Sequence, residues 1–322
     1  MRTLVVGGGG PIGQAVVRAF LARGDEAFWT SRQAAPPPGT INGHVHADRN
    51  RPDDIAQILR DQQIDTVVDM VAYSEVSTRP LLSVLEHRLQ RYVLVSSCDV
   101  YRNYGLLHRI EAGDADASPL GETAPLRTRR FPYRGDTVRD PDAPDRWMDD
   151  YDKIPIEAAV RDMTCDWTIL RLPMVYGPGD RQRRFRWAIT PMVSQAPLLQ
   201  APKTWLNWKT TYGFIDNVAA AVAHCTADRR AANATFNVAD EPAMRHHSWI
   251  DRFRKATGWT GTVEPTETDT PFSRAIVALD LSVPLDVSAQ RLFTDLEFTP
   301  PVAPDTAARL TVADEAARHG PG

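Results

Sequence analysis

The chain has 322 residues, of which 43% are hydrophobic and 24% charged, with 37 Lys+Arg against 41 Asp+Glu and a formal net charge of −4. This is the balance of a folded globular protein with room for a large core, and it excludes global disorder. The slight acidic excess argues against a general nucleic-acid binder. Three dispersed cysteines (Cys98, Cys165, Cys225) form neither a CxxC pair nor a disulfide framework, which predicts a reducing compartment.

The first predicted element is the apolar run Thr3 to Val6. It is too short for a signal-peptide core, and no stretch approaches the roughly 20 apolar residues of a membrane span. A cytoplasmic protein without a membrane partner is expected. The abundance of Ala, Arg, Asp and Pro points to a GC-rich bacterial genome.

Four glycines follow the run, then Pro11-Ile12-Gly13, then an amphipathic stretch from Gln14 to Ala22 at helical spacing. Glu26 to Thr30 reads as a second strand, with a short third one before Asp48. Ile55 to Leu59 sits in a helical pattern. Thr66 to Val71, Tyr92 to Ser96 and Thr168 to Leu172 are further strands. These strands are continuous apolar runs alternating with helices. That pattern predicts an α/β fold: a doubly wound parallel sheet covered on both faces. The stretch from Glu111 to Asp149, rich in Asp, Arg and Pro, reads as a long excursion over the edge of the site. Beyond Gly177 the pattern turns irregular, apart from a helical stretch at Ile215 to Ala223 and a mixture of short helices and loops over Pro242 to Phe298. The predicted division is residues 1–176 as a dinucleotide-binding domain and 177–322 as mainly a smaller substrate lobe, with 211–240 returning to the first domain.

Gly7, Gly10 and Gly13 form GxxGxxG between the first strand and the first helix. One glycine permits the tight turn, one lets a pyrophosphate approach the backbone, and one lets helix and strand pack closely. The helix N-terminus at Pro11, Ile12 and Gly13 would face the phosphates with unpaired N–H groups. A ribose-selecting carboxylate belongs about 20 residues further on, at the end of the second strand. Ser31 and Arg32 stand there instead. A hydroxyl and a guanidinium suit a 2′-phosphate, so NADP is expected over NAD. Asp48 is the candidate contact to adenine.

GGGGPIG at the N-terminus, VLVSSCDVY at 93–101, LRLPMVYGPGDR at 170–181, FIDNVAAAVAHC at 214–225 and the late LDVSAQRLFTDLEFTP occur in this order. Together they resemble the extended short-chain dehydrogenase/reductases, the NAD(P)-dependent epimerase/dehydratase group, over almost the whole chain. The resemblance implies a Rossmann fold and a site built from Ser, Tyr and Lys. It assigns Ser97, four before Tyr101, to the substrate oxygen. Lys153, followed by Glu157, is assigned to the nicotinamide ribose. It also implies a homodimer built partly through the Lys-bearing helix, which here begins near Pro155.

The family pattern Tyr-xxx-Lys is not intact. Asp149 stands four before Lys153, and the near tyrosine, Tyr151, stands two before it. On a regular helix those two would point to nearly opposite faces. Asp152, however, suits the N-cap of a helix starting at Lys153, which would leave Tyr151 in non-helical backbone. Three readings stay open: Tyr151 enters the site from an irregular segment; Tyr101, Tyr133 or Asp149 takes the acid/base role; or the role is vacant. The expected function is an NAD(P)-dependent oxidoreductase, epimerase or dehydratase acting at a secondary alcohol or ketone carbon of a nucleotide-sugar or small metabolite. The alternative is a catalytically altered NADP-binding sensor.

Arginines 127, 129, 130 and 134, and 181, 183, 184 and 186, form two clusters that an anionic substrate would justify, although nearby aspartates are able to neutralise the first. Trp205 and Trp208 are expected to pack the lobe, and Cys98 to be a buried apolar residue. No metal site is expected at His44 and His46 or at His246 and His247.

Overall fold

The computed structural model describes residues 1–36, 39–267 and 278–319. The first part of the chain lays down β1 (Arg2–Val6), α1 (Pro11–Ala22), β2 (Glu26–Ser31), β3 (His44–His46), α2 (Pro52–Asp61), β4 (Thr66–Asp69), α3 (Glu75–Leu85), β5 (Arg91–Ser97), α4 (Arg102–Leu107), α5 (Lys153–Arg161) and β6 (Asp166–Leu172). It continues through β7 (Met174–Tyr176), α6 (Arg186–Val193), β8 (Leu198–Pro202), α7 (Lys203–Asn207), β9 (Lys209–Thr210) and β10 (Tyr212–Phe214). Then come α8 (Ile215–Ala227), β11 (Ala234–Asn237), β12 (Met244–Arg245), α9 (His246–Thr257) and β13 (Thr262–Thr266). Helices at Gln290–Asp295 and Pro304–His319 follow.

Seven strands form one sheet in the order β11-β6-β5-β4-β1-β2-β3, with every pair parallel. This is a doubly wound Rossmann fold. The apolar runs dictate it, because both faces of each strand must be covered. Leu4, Val6, Val67, Leu94 and Ile169 pack with α2, α3 and α5 through Ile55, Leu59, Leu81, Leu85, Ile156 and Val160. Val5, Val68, Val93, Val95 and Leu170 pack the other way, with Val16 and Phe20 of α1 and Val218 and Val222 of α8. The strand order reverses between β1 and β4, so a crevice opens at their carboxyl ends.

Strand β4 ends at Asp69, two residues before the sequence predicts. The Asp69 carboxylate accepts a hydrogen bond from the Val71 N–H (3.1 Å), which turns the backbone out of the ladder. After β6 the chain builds small two-stranded pairings, β7 with β10, β8 with β13 and β9 with β12, and packs α9 against α6 and the C-terminal helix. It also returns to the main sheet: α8 packs on α1, and β11 extends the edge beyond β6. The excursion at 111–149 is largely loop, with a 3-10 turn at Arg146–Asp149. Within the mixed 242–298 stretch, residues 268–277 lie outside the described residues. Among the described residues no helix is long and apolar enough to cross a membrane.

Candidate active site

The glycine loop joins β1 to α1 at the crevice. Gly7 has φ +78, and a Cβ there would stand 2.5 Å from the Val71 side chain. At Gly13 a Cβ would stand 2.6 Å from the Gly8 Cα, so helix and loop touch backbone to backbone. Gly10 is the reverse case, with nothing within 4 Å of a built Cβ. It is the N-cap of α1, has no side-chain cap bond, and is followed by Pro11. The first-turn N–H groups of α1 are therefore left for a ligand over an open spot, which fits a pyrophosphate. The Gly7 N–H donates to Thr30 Oγ1 (3.2 Å) and ties the loop to the end of β2.

At that end Ser31 Oγ lies 2.9 Å from His44 Nε2, and Arg32 is exposed. Asp48 is half-buried, and its carboxylate accepts from the Asn50 N–H (2.9 Å). Beside it the Arg49 guanidinium is committed to the buried Asp69 carboxylate (2.6 Å), which also accepts from Tyr92 (2.6 Å). The guanidinium and these hydrogen bonds hold Asp69 below its ordinary value against its burial.

Lys153 opens α5. Asp152 in extended backbone caps that helix by accepting the Ile154 N–H (3.2 Å), and Pro155 falls within the first turn, where its missing N–H costs nothing. The Lys153 ammonium is buried and donates to the carbonyls of Ala72 (2.7 Å) and Val95 (2.8 Å), leaving one N–H over. Burial pushes it down to about 8. The loop after β4 thus reaches both subsites: Val71 faces Gly7 and Ala72 holds Lys153.

Tyr151 precedes the cap, outside the helix. Its hydroxyl reaches Ser97, at the end of β5, and donates to Asp99 Oδ2 at 2.9 Å. Its ring lies 5.7 Å from Lys153 Nζ. Tyr133, from the excursion, donates to the same Oδ2 at 3.0 Å. Ser97 caps the 3-10 turn Cys98–Val100 by accepting the Asp99 N–H (3.2 Å), which fixes Asp99 beside it. Burial and the adjacent carboxyl raise the Tyr151 phenol well above its usual range. Burial raises Asp99, against the opposing pull of Arg127, the two phenols and Lys153.

The structure therefore brings Ser97, Tyr151 and Lys153 together and keeps two other candidates away. Tyr101 is buried, donates to Asn237 Oδ1 (2.5 Å) and accepts from Arg171 (3.1 Å), inside a network that includes Glu157. Asp149 is wholly buried and bound by the Arg139 side chain and the Arg139 N–H, which hold its carboxyl low. It braces the excursion. Asp99 was not singled out from the sequence, although it stands two after Ser97 in SSCDVY. The sequence offers Tyr133 as an acid/base candidate, but its convergence on Asp99 has no local signal.

The arginine clusters are mostly paired. Arg127 and Arg130 bind Asp152, Arg134 binds Asp150, Arg183 binds Glu315 and Arg184 binds Asp180. Burial raises the Tyr73 phenol, with the exposed Arg181 pulling against it at the mouth of the crevice. Tyr73 stacks on Trp147 there, with centroids 4.6 Å apart. The loop holding Gly179 abuts Pro11 of the cradle.

Cys98 is buried, and burial pushes its thiol to about 12. Trp208 is buried and its indole donates to the Val283 carbonyl (2.9 Å). His246 is wholly buried between Tyr212 (2.9 Å) and the Trp205 carbonyl (3.0 Å). Among the described residues no three His, Cys, Asp or Glu are grouped to hold a metal.

Residues 3–133 match the family model "NAD dependent epimerase/dehydratase family". No curated protein matches in sequence. Among solved structures, a Burkholderia cenocepacia protein assigned as an epimerase is 20% identical with a TM-score of 0.72, covering 98% of this chain and 98% of that one. The UDP-glucose 4-epimerase of Thermus thermophilus, in complex with NAD, is 18% identical with a TM-score of 0.65, covering 98% and 99%. The UDP-glucuronic acid 4-epimerase of Bacillus cereus, in complex with NAD, is 15% identical with a TM-score of 0.67, covering 99% and 100%. The resemblance read from the motifs is thus met by a family-model match over the N-terminal part and by a fold shared along the whole chain.

Proposed function

We propose, from the epimerase/dehydratase match of residues 3–133 and the fold shared with nucleotide-sugar epimerases, that this chain is an NADP-dependent enzyme acting at a secondary alcohol or ketone carbon, with a nucleotide-sugar as the leading substrate class. The observation that carries the reading is the loop after β4. It packs Val71 on the glycine cradle and gives the Ala72 carbonyl to Lys153, so one segment links the phosphate subsite to the Ser97–Tyr151 pair.

Gly7, Gly10 and Gly13 with the N-terminus of α1 would hold the pyrophosphate, Ser31 and Arg32 the 2′-phosphate, Asp48 the adenine side, and the remaining Lys153 N–H a nicotinamide ribose hydroxyl. When bound, the nicotinamide supplies the hydride acceptor and donor. Ser97 and Tyr151 then hold the reacting oxygen from two sides, and Tyr151 carries its proton. Tyr73 and Trp147 offer a stacking face at the mouth, and Arg181 a cation for an anionic group.

Titration with NADPH and NADH, followed by nicotinamide fluorescence, tests the cradle. NADPH is expected to bind more tightly, with Arg32→Ala weakening it roughly tenfold to a hundredfold and leaving NADH nearly unchanged, as for a lost charge-assisted hydrogen bond. Binding of neither nucleotide refutes the reading. Incubation of the loaded protein with UDP-glucose and UDP-glucuronic acid, analysed for the 4-epimers, then tests the chemistry. Nucleotide binding with no turnover of any sugar nucleotide or ketone favours the sensor reading.

A further inference from the structure

Among the described residues, five aspartates are buried: Asp69, Asp99, Asp149, Asp152 and Asp286. Four carry a cationic partner on the carboxyl: Arg49, Arg139, Arg127 with Arg130, and Lys209 in turn. Asp99 has none. Its Oδ2 receives only the phenol hydrogens of Tyr151 and Tyr133, and its Oδ1 is buried with no partner at all. Arg127, the nearest guanidinium, donates to the Asp99 main-chain carbonyl instead. A buried carboxylate without a cation is costly, and an oxygen with no competing donor has room for a proton.

The usual way to activate a site tyrosine is a neighbouring ammonium that stabilises the phenolate. Here the Lys153 ammonium is spent largely on two carbonyls, and Tyr151 points its hydrogen at a carboxyl, which opposes ionisation. Tyr151 therefore works as a neutral phenol and needs a second group to accept what it passes on.

We propose that Asp99 is the proton store of this site, acting through Tyr151, with Tyr133 positioning its carboxyl. This deepens the proposed function and rests on it. In the oxidising direction the substrate hydroxyl gives its proton to the Tyr151 oxygen while the Tyr151 hydrogen moves to Asp99 Oδ2. The O–H electron pair becomes the C=O π bond, and a bound oxidised nicotinamide would take the carbinol hydrogen as hydride. The alcohol is oxidised, its two electrons would pass to the nicotinamide, and Asp99 ends as a neutral acid. Return of the hydride reverses each transfer. Asp99 does not touch the substrate: Ser97 and Tyr151 stand between, and Oδ1 is sealed from solvent. The groups facing it that set its charge state are Arg127, Lys153, Tyr104, Tyr133 and Tyr151, with Cys98 adjacent in the chain.

The test compares Asp99→Asn, Tyr151→Phe and the double variant of the full-length protein. Asp99→Asn keeps the size and an acceptor oxygen but stores no proton. With UDP-glucose or UDP-glucuronic acid as substrate, kcat is expected to fall about a hundredfold or more with KM and NADPH affinity within about threefold. The acidic limb of the kcat profile, lying above the ordinary carboxylate range, is expected to vanish. The double variant is expected to be no slower than Tyr151→Phe within about threefold, because the two side chains act as one unit. Full activity of Asp99→Asn, or additive losses in the double variant, overturns the proposal.

Ultraviolet titration of tyrosine ionisation provides a second readout that needs neither nucleotide nor sugar. In Asp99→Asn the high-titrating phenols are expected to ionise at lower pH, with Tyr151→Phe identifying which one is Tyr151. An unchanged titration overturns the relay even where no substrate is turned over. Failure to bind NADPH refutes the proposed function instead and leaves this titration intact.

Discussion

Gly13 and Gly10 differ by three positions and by opposite surroundings. A methyl group at Gly13 must displace the Gly8 backbone at 2.6 Å, whereas at Gly10 it meets nothing within 4 Å. Gly13→Ala is expected to cost about 1–3 kcal/mol of stability, as for overpacking, and to abolish nucleotide binding. Gly10→Ala is expected to fold with little loss and still bind nucleotide more weakly, because its methyl occupies the ligand's approach. Urea unfolding together with NADPH titration separates the two.

His246 makes a second residue-scale case. Burial pushes it down to about 3, so the folded state holds it neutral while the unfolded chain protonates near 6.5. Its contribution is complete above about 6.5 and is lost progressively as the pH falls toward 3. Wild-type stability should therefore begin to decline near pH 6.5. In His246→Gln the decline should be shallower, carried by His108, which burial pushes down to about 4, until the carboxylate range, where protonation of Asp69 and Glu157, both held low by arginine, takes over. Asp99 has the opposite sign: being raised, it reduces stability as the pH rises through its titration. The glycine spacing was readable because it is local. The role of Asp99 was not, because it depends on Tyr133 and Tyr151 arriving from 34 and 52 residues away.

At the level of elements, α5 depends on Asp152. This one carboxylate caps the helix, binds Arg127 and Arg130, and accepts the Phe131 N–H (3.1 Å). The Arg127 side chain is fully buried, so Asp152→Ala strands its charge and is expected to cost about 3–5 kcal/mol. Asp152→Asn keeps the cap and should lose less. Denaturant unfolding measures both, and NADPH affinity should fall with Asp152→Ala because Lys153 begins at that cap. The N-cap itself was legible from Asp-Lys-x-Pro. The helical wheel does not reach Tyr151, as that N-cap implies: Asp152 lies at φ −162 and ψ 115, so the residue before it never joins the helix. The excursion is largely loop, and its arginines Arg127, Arg130, Arg134 and Arg139 pair with aspartates between 145 and 152.

For the whole molecule, the apolar core does not stop at residue 176, where the sequence predicts the first domain to end. The cluster on one face of the sheet runs from Val5 and Phe20 through Val218, Phe236 and Trp249 to Leu296 and Ala308. Arg91 of β5 also binds the last carbonyls of α8 and the turn after it, those of Cys225, Thr226 and Asp228. A fragment ending at residue 176 would expose the faces of α1 and β6 that α8 and β11 cover. It is expected to be insoluble or molten, losing near-ultraviolet circular dichroism while keeping helix signal. The alternation of strands and helices announced the sheet. The return of α8 and β11 followed from one helical stretch and a motif, and the small pairings of the later part left no pattern, being only two to five residues long.

The position of Tyr151 outside the helix has an evolutionary corollary. In a Tyr-xxx-Lys helix the two groups share one rigid register, and neither can be moved without the other. Here the phenol rides on the end of the excursion while the ammonium rides on the helix. Insertions or deletions upstream of Asp150 would therefore re-aim the phenol over a fixed lysine, and a lineage built this way would vary its site by loop length instead of by rebuilding its sheet.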